Sequence, residues 1–321
     1  MLEKPVLFVS FRPLERAENL RAIYNAYAGA KVHKTIYDDD YESEIRSGKY
    51  DVMVIDEFPR IATKKCIMIW HGIQGGKCIG LDQPYPYYKA SDAKLMTYVI
   101  TPGTGTVGIF AGCTGVPKEN VLPLGMPRTD DYIGKRKGSG DTILSIKRTY
   151  LRSYLYVPTF REAHETQLPD VDWKLIDEML TDRELLAVKS HPVTKTLNLN
   201  QYRHIIEIPG SEPSAPYLYD CDVVITDYSS IMFDAFLLRK PVVLFEKNKG
   251  YTESRGMYFR YPDEYCSRYA TNETDLIRLV RSVKRLGKVE RNCMKVVADM
   301  CDGHSCERIC KLIDDMKGED T

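Results

Sequence analysis

The chain is 321 residues long and its charges cancel, with Lys+Arg 45 against Asp+Glu 45. Balanced charge excludes attraction to nucleic acid through a global field, so any selectivity for anions has to be local. The length exceeds what one hydrophobic core usually spans and predicts two domains of about 150 residues each.

In chain order, residues 6–9 form an apolar run, and residues 15–27 carry Leu20, Ile23, Tyr24 and Tyr27 at helical spacing. Residues 52–55, 66–70, 97–100 and 121–124 are further short apolar runs, so the first part alternates strands and helices around a parallel sheet. From Gly134 the composition turns to Gly-Lys-Arg-Lys-Gly-Ser-Gly-Asp without apolar periodicity, which marks 135–150 as a linker or exposed loop. A second series follows: strands at 154–157, 185–188, 204–207, 223–226 and 242–245, with helices at 173–180 and 231–238. Three helical patterns close the chain at 275–286, 289–300 and 305–316, broken at Gly287 and at Asp302-Gly303. The expected domains are therefore 1–134 and 151–321, the second including the C-terminal helices. Two Rossmann-like α/β domains facing a central cleft make GT-B the expected architecture.

No early window has the form of a signal peptide, and no stretch approaches the roughly 20 apolar residues of a membrane span. The expectation is a cytoplasmic protein, peripheral at most on the inner face of the membrane. The nine cysteines are an odd count, and Cys66, Cys221 and Cys293 sit in apolar strands or helices, as reduced core thiols do. Cys301, Cys306 and Cys310 flank His304 and invite a metal reading; i,i+4 spacing without a C-x-x-C knuckle favours the core. Metal ligands are accordingly expected to be none.

Strand exits carry the polar groups. The run 223–226 opens into Thr226-Asp227-Tyr228-Ser229-Ser230 ahead of a helical face that includes Asp234, which offers hydroxyls and unpaired amides to a diphosphate; an ordinary helix cap is the alternative. His191 follows the strand at 185–188 and precedes Pro192, with Lys189 two residues earlier. His71 leaves the strand at 66–70 and is followed by Gly72, Gly75, Gly76, Lys77, Gly80 and Asp82, where glycines let backbone approach a ligand and an exposed imidazole accepts a proton. A solvated glycine-rich turn is the plain alternative, and no P-loop pattern is present. Arg128 either reaches a phosphate or pairs with a carboxylate. Thr159 and Arg161 stand at another strand exit, and Arg255-Gly256 lies in a ring-rich loop at 251–258 that reads as a substrate lid or a surface loop.

Taken together, seven motifs in order resemble the CDP-glycerol glycerophosphotransferases, which include teichoic acid primases and polymerases. They are W-H-G with K-x-x-G-x-D (70–82), G-x-P-R-x-D (125–130), P-T-F-R (158–161), K-x-H-P (189–192), T-D-Y-S-S-x-x-F-D (226–234), R-G-x-Y (255–258) and D-G-x-x-S-x-R (302–308). The resemblance implies transfer of a polyol phosphate, glycerol phosphate first and ribitol phosphate second, from a CDP-polyol to a hydroxyl of a lipid-linked glycan or teichoic acid acceptor, with release of CMP. It implies His71 as general base, His191 as stabiliser of the donor diphosphate, and Thr226, Ser229 and Ser230 as phosphate contacts. Fold analogy alone puts the cytidine near Ile208 and Pro209. No resident cofactor is implied beyond Mg²⁺ accompanying the nucleotide.

Gln74-Gly75-Gly76 departs from the family pattern on the acceptor side, and the chain carries no recognisable extra membrane region, which favours a primase-like role over a processive polymerase. Membrane contact is expected from the surface Tyr85-Pro86-Tyr87-Tyr88-Lys89. Two other classes fit the same pattern: a nucleotide-sugar transferase or UDP-sugar epimerase of the same architecture, and a non-catalytic nucleotide-binding protein of an envelope complex.

Overall fold

The structure is a computed structural model that describes residues 4–86, 88–134, 142–146, 152–159, 170–190, 197–247 and 255–318. The chain divides into two compact units, Met1–Gly134 with Lys295–Thr321, and Lys135–Met294.

The first unit is built on a parallel sheet of six strands, β1 (Val6–Ser10), β2 (Lys31–Thr35), β3 (Val52–Ile55), β4 (Lys65–Ile69), β5 (Tyr98–Thr101) and β6 (Val121–Pro123), in the order β2-β1-β3-β4-β5-β6. Its helices are α1 (Glu18–Ala26), α2 (Tyr41–Arg46), α3 (Val107–Thr114) and α4 (Thr129–Gly134). Strands β1 and β3 are buried along their whole length, as strands covered on both faces are. Strand β2 has no apolar run because it is an edge strand whose five residues are all half-buried. The strand order reverses between β1 and β3, which makes that point the crevice of this sheet.

The second unit repeats the plan with β7 (Arg152–Tyr156), β8 (Glu184–Lys189), β9 (Ile205–Ile208), β10 (Val223–Thr226), β11 (Val242–Phe245) and β12 (Tyr269–Ala270), ordered β12-β11-β10-β7-β8-β9. Its helices are α5 (Ile143–Ile146), α6 (Trp173–Met179), α7 (Ala215–Asp220), α8 (Ile231–Leu237), α9 (Glu273–Ser282) and the start of α10 (Lys288–Val297). Tyr154, Tyr156, Leu186, Val188, Val223, Ile225, Val243 and Phe245 alternate along four strands and meet Leu276, Ile277 and Val280 of α9 in one core. Each fully buried aliphatic or aromatic side chain there contributes about 1.5–3 kcal/mol. The order now reverses between β7 and β10.

Two boundary expectations need correction. The segment 135–150 is not simply a linker: residues 142–146 include α5, which packs against α7, and the Thr142 hydroxyl donates to Asp220. The C-terminal helices do not all stay with the second domain, because the chain leaves it within α10 and ends in the first unit as α11 (Ser305–Gly318). Ile309, Ile313 and Met316 form one buried stripe on α11, which packs on α1, α4 and β3.

This return is fixed by two of the sequence motifs. The Asp130 carboxylate accepts the amides of Ser305 at 3.0 Å and Cys306 at 2.7 Å, capping the first turn of α11. Arg308 donates to the carbonyl oxygen of Leu124 at 3.0 Å and to that of Met300 at 2.5 Å, and pairs with Asp302 at 2.8 Å. Gly125 has φ 86°, and a Cβ there would lie 2.3 Å from the Met300 carbonyl oxygen, so only glycine fits.

Candidate active site

At the carboxyl edge of the first sheet, β4 delivers Trp70 and His71. The His71 side chain is exposed, and its ring lies on the buried Trp70 indole with centroids 4.2 Å apart. Both flanking carbonyls are held. Asn19, buried at the start of α1, donates its side-chain amide to the Trp70 carbonyl at 2.9 Å and accepts the Arg128 amide at 3.1 Å. The Arg128 guanidinium donates to the His71 carbonyl and to Glu18, each at 3.1 Å. The chain direction at His71 is thus clamped from α1 and from the loop after β6.

The imidazole is held below the ordinary histidine range. Displacement of water by the protein crowded around the ring is the first cause, followed by the positive charge of Arg12, Arg128 and Lys77. A hydrogen bond to the Asp56 backbone pulls the other way and orients the ring. Asp56 follows β3 and is buried; burial pushes its carboxyl up to about 6, against the opposing pull of the Phe11 amide, which it accepts at 3.0 Å, and the charge of Arg12. Gly72, Gly75 and Gly76 are buried, and Gly75 lies against Val297, where a Cβ would meet its methyls at 2.8 Å. Lys77 is half-buried, while Asp82 is exposed at the end of a short turn packed on α3.

In the second unit the switch point lies between β7 and β10. The Asp227 carboxylate accepts the amides of Thr159 and Tyr228, both at 2.7 Å, and so ties the two strand exits together. Ser229 and Ser230 follow, both half-buried, and Arg255 and Gly256 are half-buried on their own segment. Three assignments from the sequence change. Thr226 is wholly enclosed and its hydroxyl donates to the Val157 carbonyl at 2.6 Å, which occupies it in the fold rather than on a phosphate. Asp234 is fully buried on α8, among the helix residues that face the core. Lys189 is buried at the end of β8, its ammonium 3.4 Å from the Gly210 carbonyl oxygen, and therefore adds no exposed charge. Thr159 is also buried, and Ile208 lies inside β9, which leaves Pro209 as the exposed half of the proposed cytidine contact.

His191 and Arg161 lie outside the described residues, as do Tyr87 and residues 251–254 of the loop at 251–258. Tyr88 is corrected from membrane-facing to core: it stacks on Phe58 at 4.2 Å and donates to the Thr114 carbonyl at 2.9 Å. Among the described residues, no helix is long and apolar enough to cross a membrane, and no group of three or more His, Cys, Asp or Glu side chains is arranged to hold a metal ion. Motif reading missed Asn19, Glu18, Arg12 and Asp56. The available signal was position: each stands at a strand exit or at the first turn of a helix in an α/β sheet.

The sequence profile of the family described as CDP-Glycerol:Poly(glycerophosphate) glycerophosphotransferase matches residues 41–315. The chain belongs to this family. It is a glycerophosphotransferase-family enzyme, and its reaction is the transfer of a polyol phosphate from a CDP-polyol. Among relatives of this glycerophosphotransferase, the teichoic acid glycerol-phosphate primase of Bacillus subtilis (strain 168) is 27% identical over 268 residues, 78% of this chain and 68% of the relative. The teichoic acid poly(ribitol-phosphate) polymerase of Bacillus spizizenii is 24% identical over 332 residues, 94% of this chain and 52% of the relative. The wall teichoic acid polymerase TagF superposes with TM-score 0.78 at 18% identity, covering 99% of this chain and 90% of that structure. The UDP co-structure of MnaA from S. aureus gives TM-score 0.65 at 14% identity, covering 97% and 96%. Both establish the GT-B fold.

Proposed function

We propose that this enzyme transfers glycerol phosphate, with ribitol phosphate as the second candidate, from its CDP ester to a hydroxyl of a lipid-linked glycan or teichoic acid acceptor. His71 is the general base. The acceptor O–H gives its proton to the imidazole, the oxygen attacks the phosphorus that carries the polyol, and the bond from that phosphorus to the CMP oxygen breaks. CMP leaves with the electron pair.

One observation carries this reading: an accessible imidazole, clamped through both neighbouring carbonyls and surrounded by Arg12, Arg128 and Lys77. With its pKa depressed, the ring is neutral at neutral pH and ready to accept a proton. Its weak basicity in the free enzyme rises once an anionic donor offsets the three cations. Ser229 and Ser230, at the β7/β10 switch point, are the proposed donor-phosphate contacts, together with Arg255 and Gly256; His191 joins them by the family resemblance. No resident cofactor enters the proposal. Peripheral binding at the inner face of the membrane is part of it, to bring the enzyme to a lipid-linked acceptor.

The test is release of CMP or UDP from a panel of CDP-glycerol, CDP-ribitol and UDP-sugars, with and without EDTA. CMP release that survives the chelator and is lost in His71→Ala supports the proposal. Release of UDP alone, or full activity of His71→Ala, overturns it.

A further inference from the structure

Just past the ends of β1 and β2, at the edge of the first sheet next to the strand that leads into Asp56, two aromatic rings stand in open solvent. Phe11 is 41% exposed and Tyr37 is 68% exposed. The two rings touch edge to face with centroids 5.4 Å apart. The fold does not need them there, since neither lies in the buried core of the unit. The touching rings are contiguous and adjoin the exposed Arg12, and an apolar patch with a polar rim is what a recognition site presents.

Their position relative to the base is specific. The Phe11 amide is bound by Asp56 at 3.0 Å, and the Asp56 backbone holds the His71 imidazole. Arg12, the next residue, is exposed and places its positive charge on both His71 and Asp56. In the sheet β1 is two strand spacings from β4, roughly 10 Å, and β2 is three, roughly 14 Å, so Phe11 leaves the sheet nearer the strand that delivers the base and Tyr37 one strand farther out.

We infer that Phe11, Tyr37 and Arg12 form an acceptor subsite for a sugar ring that bears or adjoins an anionic group. The inference rests on the function proposed above and names its acceptor class. Aromatic faces and edges match the C–H surface of a pyranose, and the guanidinium matches a phosphate oxygen. Over that span, a hydroxyl on one sugar meets His71 while a ring farther along the same glycan lies on the platform. A linear polyol-phosphate chain has no ring face to place there, so the arrangement favours a glycan acceptor.

The experiment uses the full chain with CDP-glycerol and two acceptors, a short-alkyl disaccharide phosphate and an oligo(glycerol phosphate), and reads CMP release. In Phe11→Ala and Tyr37→Ala the KM for the disaccharide rises about tenfold, while the KM for CDP-glycerol moves less than twofold. Tyr37→Phe and Phe11→Trp restore acceptor binding because they keep a ring face. Arg12→Gln raises KM for the phosphorylated disaccharide and not for its uncharged counterpart. Thermal unfolding is followed in parallel, and Tyr37→Ala, at a residue two-thirds exposed, carries the test if Phe11→Ala unfolds. The subsite is overturned if the disaccharide KM stays unchanged in Tyr37→Ala, if both acceptors lose affinity alike, or if the unmodified enzyme uses only the oligo(glycerol phosphate). Absence of CMP release from every CDP-polyol overturns the functional reading itself, a different result from CMP release with an unaltered acceptor KM.

Discussion

Asn19 and Trp70 are joined across 51 residues of sequence by a single hydrogen bond of 2.9 Å, from a buried carboxamide to the carbonyl just before His71. The same carboxamide accepts the Arg128 amide, and Arg128 in turn holds the His71 carbonyl. The base is therefore aimed by residues of α1 and of the loop after β6, neither of which adjoins it in sequence.

Asn19→Ala leaves the Trp70 carbonyl and the Arg128 amide without that partner. A cost of about 1–3 kcal/mol in stability is expected. If the clamp positions the base, kcat falls more than tenfold with little change in the KM for CDP-glycerol. Parallel thermal unfolding and steady-state kinetics check this, and a loss of stability without a fall in kcat assigns Asn19 to the fold alone.

His71→Asn is expected to lower kcat by about 10²–10⁴ while the unfolding transition stays in place, the range for loss of a general base. The pH dependence follows from the depressed pKa. Activity through neutral imidazole is retained as pH falls past 6.5 and is lost only at the lower, folded-state value, so the acid limb of kcat/KM lies below 6.5. Bound donor offsets the neighbouring cations, which moves the limb of kcat upward relative to that of kcat/KM. A free-enzyme limb above 6.5 contradicts the assignment. The stability term has the same sign: the unfolded chain takes up the proton first, so this contribution declines as pH drops below 6.5.

Asp227→Ala removes the acceptor shared by the Thr159 and Tyr228 amides and is expected to cost about 1–3 kcal/mol. It also loosens the switch point, raising the KM for CDP-glycerol. Asp227→Asn keeps an acceptor oxygen and is expected to be much milder. Equal effects of the two substitutions on KM show that charge, not the tie between β7 and β10, is what matters.

Asp130→Ala uncaps α11 and is expected to cost about 1–2 kcal/mol. Limited proteolysis is expected to cut ahead of residue 305 sooner than in the unmodified chain. Gly125→Ala acts on the same junction, since its Cβ has no room beside Met300 and Ser305. A cleavage rate unchanged in both variants removes this account of the G-x-P-R-x-D motif.

Periodicity located most elements because burial imposes it: the runs at 6–9, 52–55, 223–226 and 242–245 are strands covered on both faces, and Ile309, Ile313 and Met316 repeat with the helix turn. Edge strand β2 escaped notice because half-buried residues carry no such signature. Motif reading brought His71, Arg128, Ser229 and Ser230 to strand exits. It also assigned Thr226 and Asp234 to substrate, because a motif records residue identity and not whether a side chain faces the core.

By itself, then, the order of apolar and polar residues determined two βα series and the strand exits at which chemistry is placed. Only the tertiary structure decided that the last helix returns to the first unit and that Asn19 and Arg128 grip the backbone around His71. The reason is physical: periodicity reports burial along the chain, whereas these contacts join residues 51 and 57 positions apart and depend on which strands become neighbours.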